Sequence, residues 1–188
     1  MKDPEQVMKG IVFTEFMELV EEKFGLEMVD TIIQQSDLPS GGIYTAVGTY
    51  DHTEVLSLVT SLSQQANVPI GDLVFAFGRH LFKAFTKGYG ELFQGIHSSA
   101  DFLSKVESFI HVEVKKLYPD AMLPSIHYAE LDAKSFEVRY ESSRPFADLA
   151  AGLIHECVQH FGENLEIERD KSIDSSGTAA RFVLRQVA

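Results

Sequence analysis

The chain has 188 residues and a formal net charge of −12, from 28 acidic against 16 basic side chains. That balance disfavours phosphate backbones and anionic lipid surfaces as partners. With one cysteine, Cys157, no intrachain disulfide can form and the cysteine-rich zinc patterns are excluded. No apolar run approaches the ~18 residues of a membrane span, and "MKDPEQVMKG" lacks a signal core. The expectation is a soluble cytoplasmic protein, with Met8 as a second possible start.

In chain order, "GIVFTEFMELVEEKFG" (10–25) carries Val12, Phe13, Phe16, Leu19, Val20 and Phe24 at helical spacing, with Gly25 as a stop. A second short helix follows at 26–36, then a turn-rich stretch at 37–50. Asp51 or Thr53 caps the next helix. After Pro69 comes a phenylalanine-rich helix, and after a short one at 90–96 a long helix over 99–118, stopped by Pro119. Beyond Pro124 the period changes from about 3.6 to 2. Residues 125–144 read as a hairpin turning near Asp132-Ala133, 146–162 as a helix, and "NLEIERD" and "AARFVLRQV" as two strands around "SIDSSG". Helices followed by ββαββ argue an α+β fold with a four-stranded antiparallel sheet.

The strand 135–144 is the most informative piece. One side carries Ser135, Glu137, Arg139, Glu141 and Ser143; the other carries Phe136, Val138, Tyr140, Ser142 and Arg144. The apolar side thus turns polar and then cationic without changing face. Where that face is covered, these groups need acceptors. Two readings stand: a strand end reaching solvent or a structural ion pair, and an anion clamp in which Arg144 grips a carboxylate.

In helix 99–118 the apolar stripe falls at Phe102, Val106, Phe109, Ile110 and Leu117, and a regular wheel puts His111 on its flank near Ser104, Ser108, Val114 and Tyr118. A lone helical histidine is more often packed or exposed than a ligand, although neutral imidazole is a common ligand of transition metals. "HECVQH" (155–160) fails the zinc-protease pattern, because its histidines are five apart instead of four. No phosphate loop and no G-x-S-x-G element is present.

A helical histidine and a downstream strand ending Y-x-S-x-R together resemble the heme nitric oxide/oxygen binding (H-NOX) family, related to the heme domain of soluble guanylate cyclase. The resemblance runs from about Met8 to Val187. "MKGIVF" is similar to the family's start and "FAFG" to its middle helix. "HVEVKKLYPDAMLP" is similar to its axial-ligand helix, with Pro124 thirteen residues after the histidine, and "YESSR" supplies Tyr140, Ser142 and Arg144. The resemblance implies the H-NOX fold over 8–188, with a helical part at about 8–65, a heme-anchoring part at about 66–188, and residues 1–7 as an extension. It implies heme b as cofactor, His111 as axial iron ligand, and Tyr140, Ser142 and Arg144 holding the propionates. Pro124 presses on the macrocycle, and Val12, Phe16, Leu149 and Leu153 line the distal pocket.

Two departures refine this expectation. Oxygen-binding members resemble one another in a distal tyrosine five residues after the motif arginine; here that position is Leu149. An apolar pocket favours NO, with CO weaker and O2 excluded, since bound O2 needs a hydrogen-bond donor; Tyr44 and Tyr50 are the alternative donors. The cysteines that form a zinc site in some bacterial relatives are absent from "ERDKSIDSSGTAARF", so no zinc is expected. The implied function is a gas sensor, not an enzyme. NO opposite His111 weakens the iron–histidine bond and frees helix 99–118. The chain ends soon after its last strand, so the expected output is to a separate partner, a histidine kinase or a cyclic-di-GMP enzyme. A heme-free interaction domain of the same fold, a heme peroxidase and an O2-binding member are the rival readings.

Overall fold

The structure, a computed structural model, describes residues 7–170 and 176–187. Residues 1–6 of the expected extension and most of the "SIDSSG" turn lie outside the described residues. The fold is α+β. Helices α1 (Gly10–Phe24), α2 (Leu26–Gln35) and α3 (His52–Ala66) form an N-terminal layer, followed by α4 (Ile70–Gly88) and a short 3-10 turn, Gly90–Phe93. Asp51 is the α3 cap, its carboxylate accepting from the Thr53 amide at 2.9 Å.

The turn-rich stretch holds one element that periodicity missed. β2 (Thr49–Asp51) pairs antiparallel with β1 (Val7–Lys9), placing Val7 opposite Asp51. Three residues are too few to show a period of two. Gly10 follows directly, and a Cβ there would lie 1.8 Å from the Thr45 carbonyl oxygen. Only glycine lets the chain enter α1 at this approach.

The second part holds α5 (Ser99–Lys105), a π turn (Val106–Ile110) and α6 (His111–Leu117). The sheet follows as β3 (Ser125–Asp132), β4 (Ser135–Glu141), β5 (Leu165–Asp170) and β6 (Ala179–Gln186), with α7 (Ala147–His160) between its halves. All pairings are antiparallel, in the order β3-β4-β6-β5. Alternation sorts the faces. Phe136, Val138 and Tyr140 stand opposite Leu184, Phe182 and Ala180, and these residues share a core with Ile154, Cys157 and Val158 of α7. On the other face Glu137 is buried between Arg181 and Arg139, each 2.7 Å away.

A second core fills the N-terminal layer around Phe13, Phe16, Val20, Leu58 and Phe77, and it also takes in Phe146 and Leu149. The first turns of α7 therefore belong to both cores. No helix of the described residues is long and apolar enough to cross a membrane.

Candidate cofactor site

Between the two cores lies a cavity of about 290 Å³, close to the lower end of the range for small-molecule sites. His111, Pro124, Tyr140, Ser142, Arg144, Val12, Leu149 and Leu153 all line it. They come from α6, the loop after it, the end of β4 and the bend that follows its last residue, Glu141, and α1 and α7. Phe16 does not line it: Phe16 is buried in the N-terminal core with its ring edge-on to Phe77 at 5.2 Å. On α1 the stripe Phe13, Phe16, Val20 turns inward to that core, while Ile11 and Val12 face the cavity. The expectation for Phe16 is corrected accordingly.

The π turn decides where His111 points. Its amide bonds the Val106 carbonyl five residues back, so one extra residue is wound into the turn. Everything after it is rotated by about 100° relative to a regular helix. The expected stripe fails at Phe109, which is 42% exposed, while His111 moves from the flank to the cavity wall beside Ile110 and Val114. The periodicity of a regular helix could not reveal this, because π turns have no strong sequence signature. Among the described residues His111 is the histidine on this wall. His155 packs on Phe75 and His160 on Phe82 and Phe93, and neither lines the cavity. Burial holds the His111 imidazole below its ordinary pKa, outweighing the opposing pull of the Glu107 carboxylate 3.2 Å from Nδ1. A neutral imidazole is the form that binds a metal.

Arg144 is 5% exposed. Its Nη1 donates to the Val7 carbonyl at 2.9 Å and its Nη2 to the Met122 carbonyl. Ser142 Oγ accepts from the Arg144 amide at 3.1 Å, and the Tyr140 hydroxyl donates to the Arg144 carbonyl at 3.3 Å. Burial works against the guanidinium charge, with Tyr140 opposing. Two neutral carbonyls do not neutralise a cation that never deprotonates. Among the described residues no carboxylate pairs with Arg144. Lys9, also on the wall, is 3.2 Å from Asp120.

The rest of the lining is apolar. Sequence reading missed Leu81, Phe82 and Phe85 of α4, whose spacing of one and four was the available signal. The tyrosine hydroxyls are engaged. Tyr89 and Tyr118 bond each other at 2.9 Å, and burial, with that bond, pushes Tyr89 up to about 12. Tyr44 donates to Glu54 at 2.9 Å and Tyr50 accepts from the Thr45 amide, and neither lines the cavity. Burial raises the Cys157 thiol, so it remains a thiol.

The Haem-NO-binding family model matches residues 9–169. The chain belongs to this family. The H-NOX protein of K. algicida, solved as unliganded Fe(II), is 42% identical, with 96% of this chain and 97% of that one aligned at a TM-score of 0.90. The H-NOX of Shewanella woodyi, in its Fe(II)CO state with IWP-051 bound, is 43% identical over 96% and 95% at 0.81. That of S. oneidensis in its Fe(II)NO state is 26% identical over 96% and 100% at 0.88. Haem-NO-binding domains are heme-based gas sensors. The observed donor set fits that cofactor: an apolar cavity for a flat macrocycle, a neutral imidazole for its iron, and a buried cation short of a carboxylate.

Proposed function

We propose that this chain binds heme b in the cavity, takes NO and more weakly CO at the ferrous iron, excludes O2, and signals to a separate effector protein. The observation that carries the reading is the placing of a neutral imidazole, His111, and an unneutralised buried guanidinium, Arg144, on the wall of one apolar cavity. When bound, ferrous heme would supply an iron centre able to take up a diatomic gas.

In this reading His111 is the iron ligand. Arg144, with Tyr140 and Ser142, receives the propionates by exchanging its carbonyl partners for carboxylates, a stronger charge-assisted pairing. Pro124 packs against the macrocycle. Val12, Leu149 and Leu153 form the gas pocket. They offer no donor, and Tyr44 and Tyr50 do not line the cavity. A ligand carrying negative charge therefore gains nothing there, which favours NO over O2.

The output follows from position. His111 opens α6 directly after the π turn, so a change in its tether acts on α6. The part over about 8–65 then moves against that over 66–188, to the extent that gas binding favours one arrangement. A histidine kinase or a cyclic-di-GMP enzyme is the proposed partner class.

The test is the absorption spectrum of reduced, heme-supplied protein under argon, CO, NO and air. We expect a heme Soret band that shifts with NO and with CO and persists unshifted in air until the iron oxidises. Absence of any Soret band overturns the heme reading, and a stable oxy spectrum overturns the exclusion of O2.

A further inference from the structure

From the geometry around His111 we infer that Glu107 is a positioning residue. Its carboxylate fixes the His111 tautomer and ties that imidazole to the edge of the sheet. The inference rests on the proposed role of His111. Glu107 lies in the π turn, four residues before the histidine, and one oxygen, Oε2, serves two partners. It is 3.2 Å from His111 Nδ1 and 3.0 Å from the Ile126 amide, which donates to it.

A carboxylate only accepts, so the contact at Nδ1 requires the proton there. Nε2 is then left with its lone pair available to a metal. A carboxylate on the far nitrogen also raises the donor strength of a ligating imidazole and holds its ring plane. Removing such partners typically costs metal sites about 10–100-fold in affinity.

The second bond gives the contact a mechanical meaning. β3 is an edge strand, with β4 on its other side. The outward amide of Ile126 has no strand partner and is met by Glu107 instead. Ile126 stands opposite Tyr140 in the β3–β4 register, and both line the cavity. One oxygen thus joins the histidine of α6 to the strand beside Tyr140. Displacement of His111 breaks or drags this bond, so motion of α6 is transmitted to the sheet through a side chain as well as through packing. The Glu107 side chain is 52% exposed, leaving the bridge open to competition from water.

The experiment compares wild type with Glu107→Gln and Glu107→Leu, all full chain and loaded with heme. Resonance Raman of the reduced proteins reads the iron–imidazole stretch, and hydrogen exchange reads the Ile126 amide. We expect the stretch to fall in both variants. Ile126 exchange should accelerate roughly tenfold with Leu, the loss of about one hydrogen bond, and less with Gln, whose carbonyl still accepts. A stretch equal to wild type in both variants overturns the inference while leaving the heme reading intact. A wild-type protein with heme but no iron–imidazole stretch overturns the role of His111 itself, and this inference with it.

Discussion

Gly78 and Gly152 meet backbone to backbone where α4 crosses α7. A Cβ on Gly78 would lie 2.3 Å from the Leu149 carbonyl oxygen, and one on Gly152 2.1 Å from that of Phe75. The two glycines set how closely these helices approach. They also place Leu149 and Leu153 on the cavity wall, since both flank the contact. Alanine at either position must push backbone against backbone, which no rotamer change relieves. We expect Gly152→Ala and Gly78→Ala each to cost about 1–3 kcal/mol, read as a lower urea midpoint at unchanged slope. A midpoint equal to wild type would show that the helices separate freely.

His111 is the imidazole on the cavity wall, so its removal has a specific signature. His111→Gly should replace the native spectrum of the reduced unliganded protein with a different one, and added imidazole should restore the native form by entering the vacated space. Heme spectra unchanged by the substitution would assign the iron to another ligand.

Leu149 faces the cavity from α7 without a polar atom to offer. In Leu149→Tyr a hydroxyl is added to a wall that Val12, Leu149 and Leu153 leave without a donor. A hydrogen bond to a charged group contributes about 1.5–3 kcal/mol, so O2 affinity should rise at least tenfold. Anaerobic reduction followed by exposure to air tests this through the lifetime of the oxy spectrum. A lifetime no longer than wild type counts against the pocket assignment.

Arg144 joins Val7 of β1 and Met122 of the loop after α6 through its two bonds. Arg144→Ala removes this tie and the charge proposed to hold the propionates. We expect heme transfer to an excess of apomyoglobin to accelerate about tenfold or more, from the loss of a charge-assisted bond of about 1.5–3 kcal/mol. Arg144→Lys should fall between, because an ammonium cannot make the planar paired contact. Equal transfer rates in all three proteins would remove Arg144 from the cofactor site.

Burial lowers the pKa of His111 in the folded chain below its ordinary value of 6.5. In heme-free protein the unfolded state therefore binds more protons between the folded value and about 6.5. Stability is full above that window and falls as pH drops through it. His111→Gln should flatten this slope in urea titrations, while leaving the loss from the depressed Glu137 carboxylate at lower pH. A slope through that window unchanged by the substitution would place the proton uptake at other groups.

Much of this molecule was legible in its sequence, because helix and strand periods follow from which side chains must avoid water. The ββαββ order, a cap for α3 at Asp51 or Thr53, and the face of β4 with Phe136, Val138 and Tyr140 follow from period and residue chemistry, while the strand ends at Glu141, so Ser142 and Arg144 reach the cavity from the bend beyond it. The β1–β2 pair did not, since three-residue strands are made by their partners and by the fit of Gly10 against Thr45. Phe16 and Phe109 were misplaced for related reasons. A helical wheel records that a residue is apolar but not which of two cores claims it, and it assumes 3.6 residues per turn throughout. The tertiary structure alone wound an extra residue in before His111. That turn aims the imidazole at the cavity and brings the Glu107 carboxylate to both His111 and the Ile126 amide. The contact joins residues 19 positions apart on different elements, and no local pattern encodes it.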